Sequence, residues 1–206
     1  MEPLSYDTKR TALLIVDPYN DFLSEGGKLY ALIETVAKEV QLLDNLRKIA
    51  KAVRTAGMQV MIVPHRRWRA SDYEHWRHPN PSQQGIMKHR VFAAGEWGGE
   101  WHPDFAPQVG DVVVTEHWAQ SGFANTDLDL QLKQRAISDV ILVGLLANTC
   151  IESTARYAME LGYRVTLIRD ATAAFKPEMM IAAHELNGPT FAHRIITTAE
   201  LIRTLG

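Results

Sequence analysis

Short apolar runs alternate with longer segments of helical periodicity, and this alternation constrains the fold more than any other feature of the chain. The runs are "TALLIVD" (11–17), "MQVMIVP" (58–64), "DVVVTEH" (111–117), "DVILVG" (139–144) and "RVTLIRD" (164–170), with a shorter one opening "HRIITTAELIRTLG". None alternates apolar with polar, as a half-exposed strand would, so each reads as a strand buried on both faces. From Tyr30 to Ala56 apolar residues recur at helical spacing (Leu32, Val36, Val40, Leu43, Leu46, Ile49, Val53), and Gly57 stops that helix. Leu128, Leu132 and Ala136 share a helix face behind a candidate N-cap, Thr126, and the segment after Cys150 reads as helical to Gly162. "PEMMIAAHELNG" opens with Pro and closes with Gly, and a last helix is capped near Thr198.

Buried strands joined by helical crossovers imply an α/β fold: a doubly wound, Rossmann-like three-layer sandwich around a six-stranded, mostly parallel sheet. At 206 residues the chain suits one domain, 1–206, with a core that needs no staples. One stretch, about 65–110, breaks the rhythm. It lacks a long periodic pattern yet is aromatic-rich: all five tryptophans lie within 68–118, as do five of the eight histidines within 75–117. Such an excursion reads as a lid or pocket wall, or else as a satellite hydrophobic cluster or subunit contact.

Composition excludes several classes. A net charge of −2 carries no footprint for nucleic acid or an anionic membrane. No apolar run approaches the roughly 20 residues of a membrane span. The opening "MEPLSYDTKRTALLIVD" lacks the layout of a signal peptide, and one cysteine forms no internal disulfide, so a cytoplasmic protein is expected. No G-x-G-x-x-G follows a strand, no G-x-x-x-x-G-K-[ST] occurs, and "AQSGF" is not a G-x-S-x-G elbow. Asp72, His75 and His78 in "DYEHWRH" offer three metal ligands from one segment, but nothing supplies a fourth, and the expectation is no metal and no cofactor.

In doubly wound sheets ligands bind beyond the C-terminal strand ends. That rule selects Asp17 onward, Glu116 and His117, and Leu145 to Cys150. A free cysteine is usually a buried filler. Cys150, however, falls where the fourth strand ends and a helix begins, and a helix N-terminus favours a thiolate and offers N–H groups to an oxyanion.

Three segments resemble the isochorismatase-like cysteine hydrolases. "TALLIVDPYNDF" is similar to their opening v-D-m-Q-n-D-F. "GDVVVTEHWAQSGFANTDLDLQL" resembles their third-strand motif with S-A-F and T-x-L. "LVGLLANTCIESTARYAMELGYRVTLIRDATAAF" resembles their G-x-x-x-[ND]-x-C core. The resemblance covers most of the chain outside 65–110. It implies a thiolate of Cys150 that attacks an amide-type carbonyl to form a thioester, with Asp17 carrying the proton. It also implies an oxyanion hole from the N–H groups of Leu146 and Cys150, a cis Leu145–Leu146 bond, and a homo-oligomer, dimer or tetramer, acting on a small molecule.

The family carries a lysine at the end of strand three, and this chain does not. Counting forward from Asp111 reaches Glu116; counting back from Ser121 reaches His117. Adjacent strand residues face opposite ways, so one of the two faces the site unless a bulge presents both. The motif count favours Glu116 in the lysine's place, with His117 close by as a catalytic or substrate-binding residue. The D-x-H metal site that nicotinamidases carry after strand two has no counterpart in "VPHRRWRASDYEHW". Phe22, Trp76, Trp118 and Phe123 are the expected pocket walls. The expected activity is hydrolysis of a small amide or related C–N bond. The alternatives are vinyl-ether hydrolysis with Asp17 as general acid, and a non-catalytic binding protein on the same fold.

Overall fold

The computed structural model describes residues 5–205. The first four residues of the opening segment read above for a leader lie outside them. Six strands form one sheet in the order β3-β2-β1-β4-β5-β6, and every neighbouring pair is parallel. The strands are β1 (Thr11–Val16), β2 (Gln59–Val63), β3 (Val112–Val113), β4 (Asp139–Leu145), β5 (Arg164–Ala173) and β6 (Arg194–Ile196). The order reverses between β1 and β4, which sets a crevice at their C-terminal ends. All positions of β1 and β4 are buried, as their unbroken apolar runs require.

The helices are α1 (Asn20–Leu23), α2 (Tyr30–Glu39), α3 (Leu42–Thr55), α4 (Pro81–His89), α5 (Leu128–Gln134), α6 (Glu152–Glu160), α7 (Pro177–Ile181) and α8 (Thr198–Leu205). They cover both faces of the sheet. Leu13 and Ile15 of β1 pack with Ile33, Leu46, Ile49 and Val53 of α2 and α3 on one side. Ala12, Leu14 and Val16 pack with Leu128, Leu132, Ala155 and Ala158 of α5 and α6 on the other. Each buried Leu or Ile contributes about 1.5–3 kcal/mol of apolar burial. Leu14→Ala, at a position with no exposure, would cost roughly 2–5 kcal/mol.

Several elements differ from the expectations. The single helix expected over 30–56 is two, because Gln41 adopts a left-handed conformation with φ 55° between α2 and α3. Gly57, at φ 71°, does end α3. Asp127 directly precedes α5, while the Thr126 hydroxyl accepts from the Leu128 N–H at 3.3 Å, as a capping side chain does, and donates to the Gly122 carbonyl at 2.5 Å. α8 opens with a reciprocal cap between Thr197 and Glu200. The third strand is only two residues long, against the seven expected. No helix among the described residues is long and apolar enough to cross a membrane.

Candidate active site

The site is built from three strand ends. Asp17 follows β1 directly and adopts φ 55°, a left-handed conformation that Asp tolerates better than most residues. Its N–H donates to the Val63 carbonyl at 3.1 Å, which anchors the turn to β2. Gly144 lets β4 approach β1 at this end. A Cβ there would stand 2.2 Å from the Val16 carbonyl oxygen, so the glycine of the "LVG" motif is a steric requirement. Beyond it the Leu145–Leu146 peptide is cis, as the resemblance implied.

Cys150 lies in a π turn, Ala147–Ile151, that leads into α6, where an ordinary α-helical first turn was expected. The Leu146 carbonyl accepts from Thr149 and Ile151, each at 3.1 Å, and the Cys150 N–H between them is not among its donors. Leu146 lines the cavity together with Cys150. The two residues expected to form the oxyanion hole therefore share it.

The polar atoms of Asp17, His117 and Cys150 all lie within 4.8 Å of one another, and all three residues are buried. His117 Nε2 is 3.0 Å from Asp17 Oδ1, and its Nδ1 is 3.0 Å from the Ala119 carbonyl. A carbonyl only accepts, so Nδ1 carries a hydrogen. The Nε2–Oδ1 contact then holds one proton, on whichever atom, and the pair as a whole is neutral. Among the described residues, Asp17 Oδ2 has no hydrogen-bond partner. Burial first, and then the neighbouring Asp17 charge, push the Cys150 thiol well above its ordinary range. This corrects the expectation of a thiol acidified by its helix: desolvation outweighs the turn's N–H groups.

Glu116 does not stand in the lysine's place. Met61 pairs with Val112 and Ile62 with Val113, but His65 pairs with His117, so one extra residue enters the chain between the two registers. Without it, Glu116 would sit opposite His65. The bulge turns His117 inward and Glu116 outward, where the carboxylate meets Arg67 Nε at 2.6 Å and Arg66 at 3.2 Å. The arrangement is locked by Arg66 N–H to the His117 carbonyl at 2.8 Å and His117 N–H to the Pro64 carbonyl at 2.9 Å.

A cavity of about 580 Å³ opens onto the thiol. Asp17, Leu146, Thr149 and Cys150 form its floor, and Phe22, Leu29, Ile86, Val91, Phe92 and Phe175 its apolar wall. Of the four aromatic residues expected there, only Phe22 lines it. Phe123 packs on the opposite face of the sheet, stacked on Tyr157 at 5.8 Å. Trp118 lies under the Arg66 guanidinium and against Trp76, which is 44% exposed. The excursion does wall the pocket, but through α4 and Val91–Phe92, while Trp76 and Trp118 form a satellite cluster with Tyr73. α4 is held by a capping box between Asn80 and Gln83, a signal readable as "NPSQ". Asp72 is bound by the Arg66 guanidinium at 2.9 and 3.0 Å, and His75 and His78 are exposed, so that segment gathers no ligand set.

Sequence reasoning missed His65. It follows strand two, and the strand-end rule, had it been applied there as well, selects it. Its Nδ1 is 3.0 Å from the Arg66 carbonyl, its ring meets His117 edge-on at 4.9 Å, and it lines the cavity. Burial lowers its pKa to about 4.

A thiol at a strand-to-helix turn, a buried carboxylate–imidazole pair beside it and a largely apolar pocket are the features of a cysteine hydrolase on a doubly wound sheet. The Isochorismatase domain model matches residues 11–200, and the chain belongs to that family. The ureidoacrylate amidohydrolase RutB of Caulobacter segnis is 29% identical over 219 residues, covering 100% of this chain and 90% of the relative. Among solved structures, a cysteine hydrolase from Pseudomonas syringae pv. phaseolicola superposes with a TM-score of 0.78 at 27% identity, covering 98% of this chain and 95% of that one. The N-carbamoylsarcosine amidase of Thermoplasma acidophilum gives 0.70 at 28% identity, over 92% of this chain and 96% of that one.

Proposed function

We propose that this protein hydrolyses a small amide or related C–N bond through a thioester on Cys150. The observation that carries the reading is the triangle of Asp17, His117 and Cys150, with Asp17 Oδ2 free to take a proton. The relatives named for amide hydrolysis support it.

The steps follow from the geometry. The substrate carbonyl lies over the sulfur, with its oxygen toward the N–H groups of Leu146 and Cys150. As Sγ attacks the carbonyl carbon, the thiol proton passes to Asp17 Oδ2. The raised thiol pKa means that nucleophile and proton acceptor work in one step, with no standing thiolate. The oxyanion is held by the two backbone donors. Asp17 returns the proton to the amide nitrogen, the C–N bond breaks, and the amine leaves. Water then attacks the thioester, giving its proton to Asp17, and the carboxylic acid departs as the thiol re-forms. With the shared proton on Nε2, the His117 imidazolium balances the Asp17 carboxylate, as a lysine does elsewhere in the family.

The test is Cys150→Ala. Turnover of an amide panel should vanish, and mass spectrometry of the native protein with a slow substrate should show an acyl adduct on Cys150. Full activity without the thiol overturns the reading and favours acid catalysis by Asp17. We also read the protein as a cytoplasmic homo-oligomer, since its lone thiol suits a reducing compartment and the sequence resemblance implies assembly. Light scattering reads the assembly state.

A further inference from the structure

The cavity wall and His65 together constrain what the site accepts. Apolar side chains dominate the wall: Phe22, Leu29, Ile86, Val91, Phe92 and Phe175. Among the described residues, no arginine lines it. Its lysine, Lys28, is already committed, with the ammonium donating to the Arg90 carbonyl at 2.5 Å and to Glu96 at 3.3 Å. His89 is the remaining basic group of the wall besides His65. A substrate carboxylate taken into such a pocket would lose its hydration without a dedicated cation to replace it.

His65 adds a reader for the other end of the substrate. The Arg66 carbonyl accepts from Nδ1, so Nδ1 holds the ring hydrogen. The ring is deeply buried between His117 and Phe92 and stays neutral, which leaves Nε2 as a lone-pair acceptor. Among the described residues the hydrogen bond of the ring is the one at Nδ1, and His65 lines the cavity. The Tyr19 hydroxyl donates to the His65 carbonyl at 2.8 Å and fixes the residue's backbone. A primary amide carries two N–H donors on its leaving nitrogen. Asp17 Oδ2 handles the proton of that nitrogen in the mechanism above, and His65 Nε2 is a second acceptor at the same cavity.

We propose that the pocket takes an uncharged primary amide with an apolar body, and that His65 Nε2 accepts an N–H of its leaving nitrogen. This rests on the hydrolase reading above and deepens it. It sets the chain apart from a relative named for ureidoacrylate, a carboxylate. His65 is then a specificity-determining residue.

Two measurements on the full chain test this. First, kcat/KM is compared for 3-phenylpropanamide and N-carbamoylglycine. The uncharged amide should be favoured by about tenfold or more; a preference for the carboxylate overturns the proposal. Second, the amide is compared with methyl 3-phenylpropanoate, which lacks the N–H, in native, His65→Leu and His65→Gln proteins. His65→Leu should raise KM for the amide roughly five- to thirtyfold, as loss of one buried hydrogen bond does, with the ester changed less than twofold. His65→Gln, which restores an acceptor, should recover most of the loss. Equal effects on amide and ester in His65→Leu overturn the assignment. If neither His65 variant folds, calorimetry with Cys150→Ala protein decides: tighter binding of the amide supports the proposal, and equal affinity for amide and ester overturns it. That binding needs no turnover. Failure of the hydrolase reading shows separately, as native protein that cleaves neither compound and forms no acyl adduct.

Discussion

Nε2 of His117 lies 3.0 Å from Oδ1 of Asp17, with both side chains fully buried. One proton in that contact makes the pair neutral overall, whereas a lysine in the same place would hold its charge permanently. The site therefore depends on a hydrogen bond that the imidazole's second nitrogen, tied to Ala119, keeps aligned.

His117→Gln should lower kcat for an amide by roughly 10² or more, because His117 holds the Asp17 carboxylate whose acid–base work contributes about that much. His117→Lys should retain far more activity than His117→Gln, because it restores a cation beside Asp17. Steady-state kinetics on the two variants checks this; equal losses would show that charge at this position is not what matters.

Asp17→Asn should separate reactivity from catalysis. The Asp17 charge raises the Cys150 pKa, so its removal lowers that pKa and enlarges the thiolate fraction. Iodoacetamide should label the native thiol slowly at neutral pH, faster as pH rises, and faster still at neutral pH in the variant. Amide turnover in the variant should nevertheless fall by orders of magnitude. A variant slower in both respects contradicts the proton path drawn here.

Glu116→Gln should leave kcat within about threefold. Its carboxylate serves Arg66 and Arg67, with 17% of the side chain exposed. A stability loss on the order of 1 kcal/mol is expected in urea titration, as for a partly screened ion pair. A large kcat loss would return Glu116 to the site.

Chelation should not reduce activity. The Asp17, His117 and Cys150 atoms lie close enough to hold an ion, but both His117 nitrogens are already hydrogen-bonded, one to a carbonyl and one to Asp17. Activity after exhaustive EDTA treatment, with metal content measured alongside, checks this.

Stability should fall on acidification below the ordinary histidine range. Burial holds His65 and His184 at about 4, against 6.5 in the unfolded chain. Between those values the unfolded state binds more protons, so their contribution is complete above about pH 6.5 and is lost as pH falls toward 4. Each lowers the unfolding free energy by on the order of 3 kcal/mol across that window. His184 is joined to the Thr172 hydroxyl at 2.8 Å and does not line the cavity, so His184→Gln flattens the profile without touching the site. Urea midpoints from pH 7 to 4 read the effect.

The sequence by itself determined the layers, the parallel pairing of the sheet and the place of Cys150. Those depend on local patterns: unbroken apolar runs mark buried strands, 3.6-residue spacing marks helices, and a strand end meeting a helix start marks Cys150. It also placed Asp17, since the residue leaving β1 has little freedom. Tertiary structure decided what periodicity does not encode. Whether Glu116 or His117 faces Asp17 turned on one extra residue in register with Pro64 and His65, some fifty positions away. Register is set by cross-strand hydrogen bonds, and a slip of one residue reverses every side chain. The pocket walls followed the same rule. Trp118 and Phe123 are aromatic and close in sequence to the site, yet Phe92 and Ile86 line it, because the cavity is shaped by where α4 and its following loop pack. The thiol's raised pKa is likewise a property of burial, which exists only once the chain has closed around it.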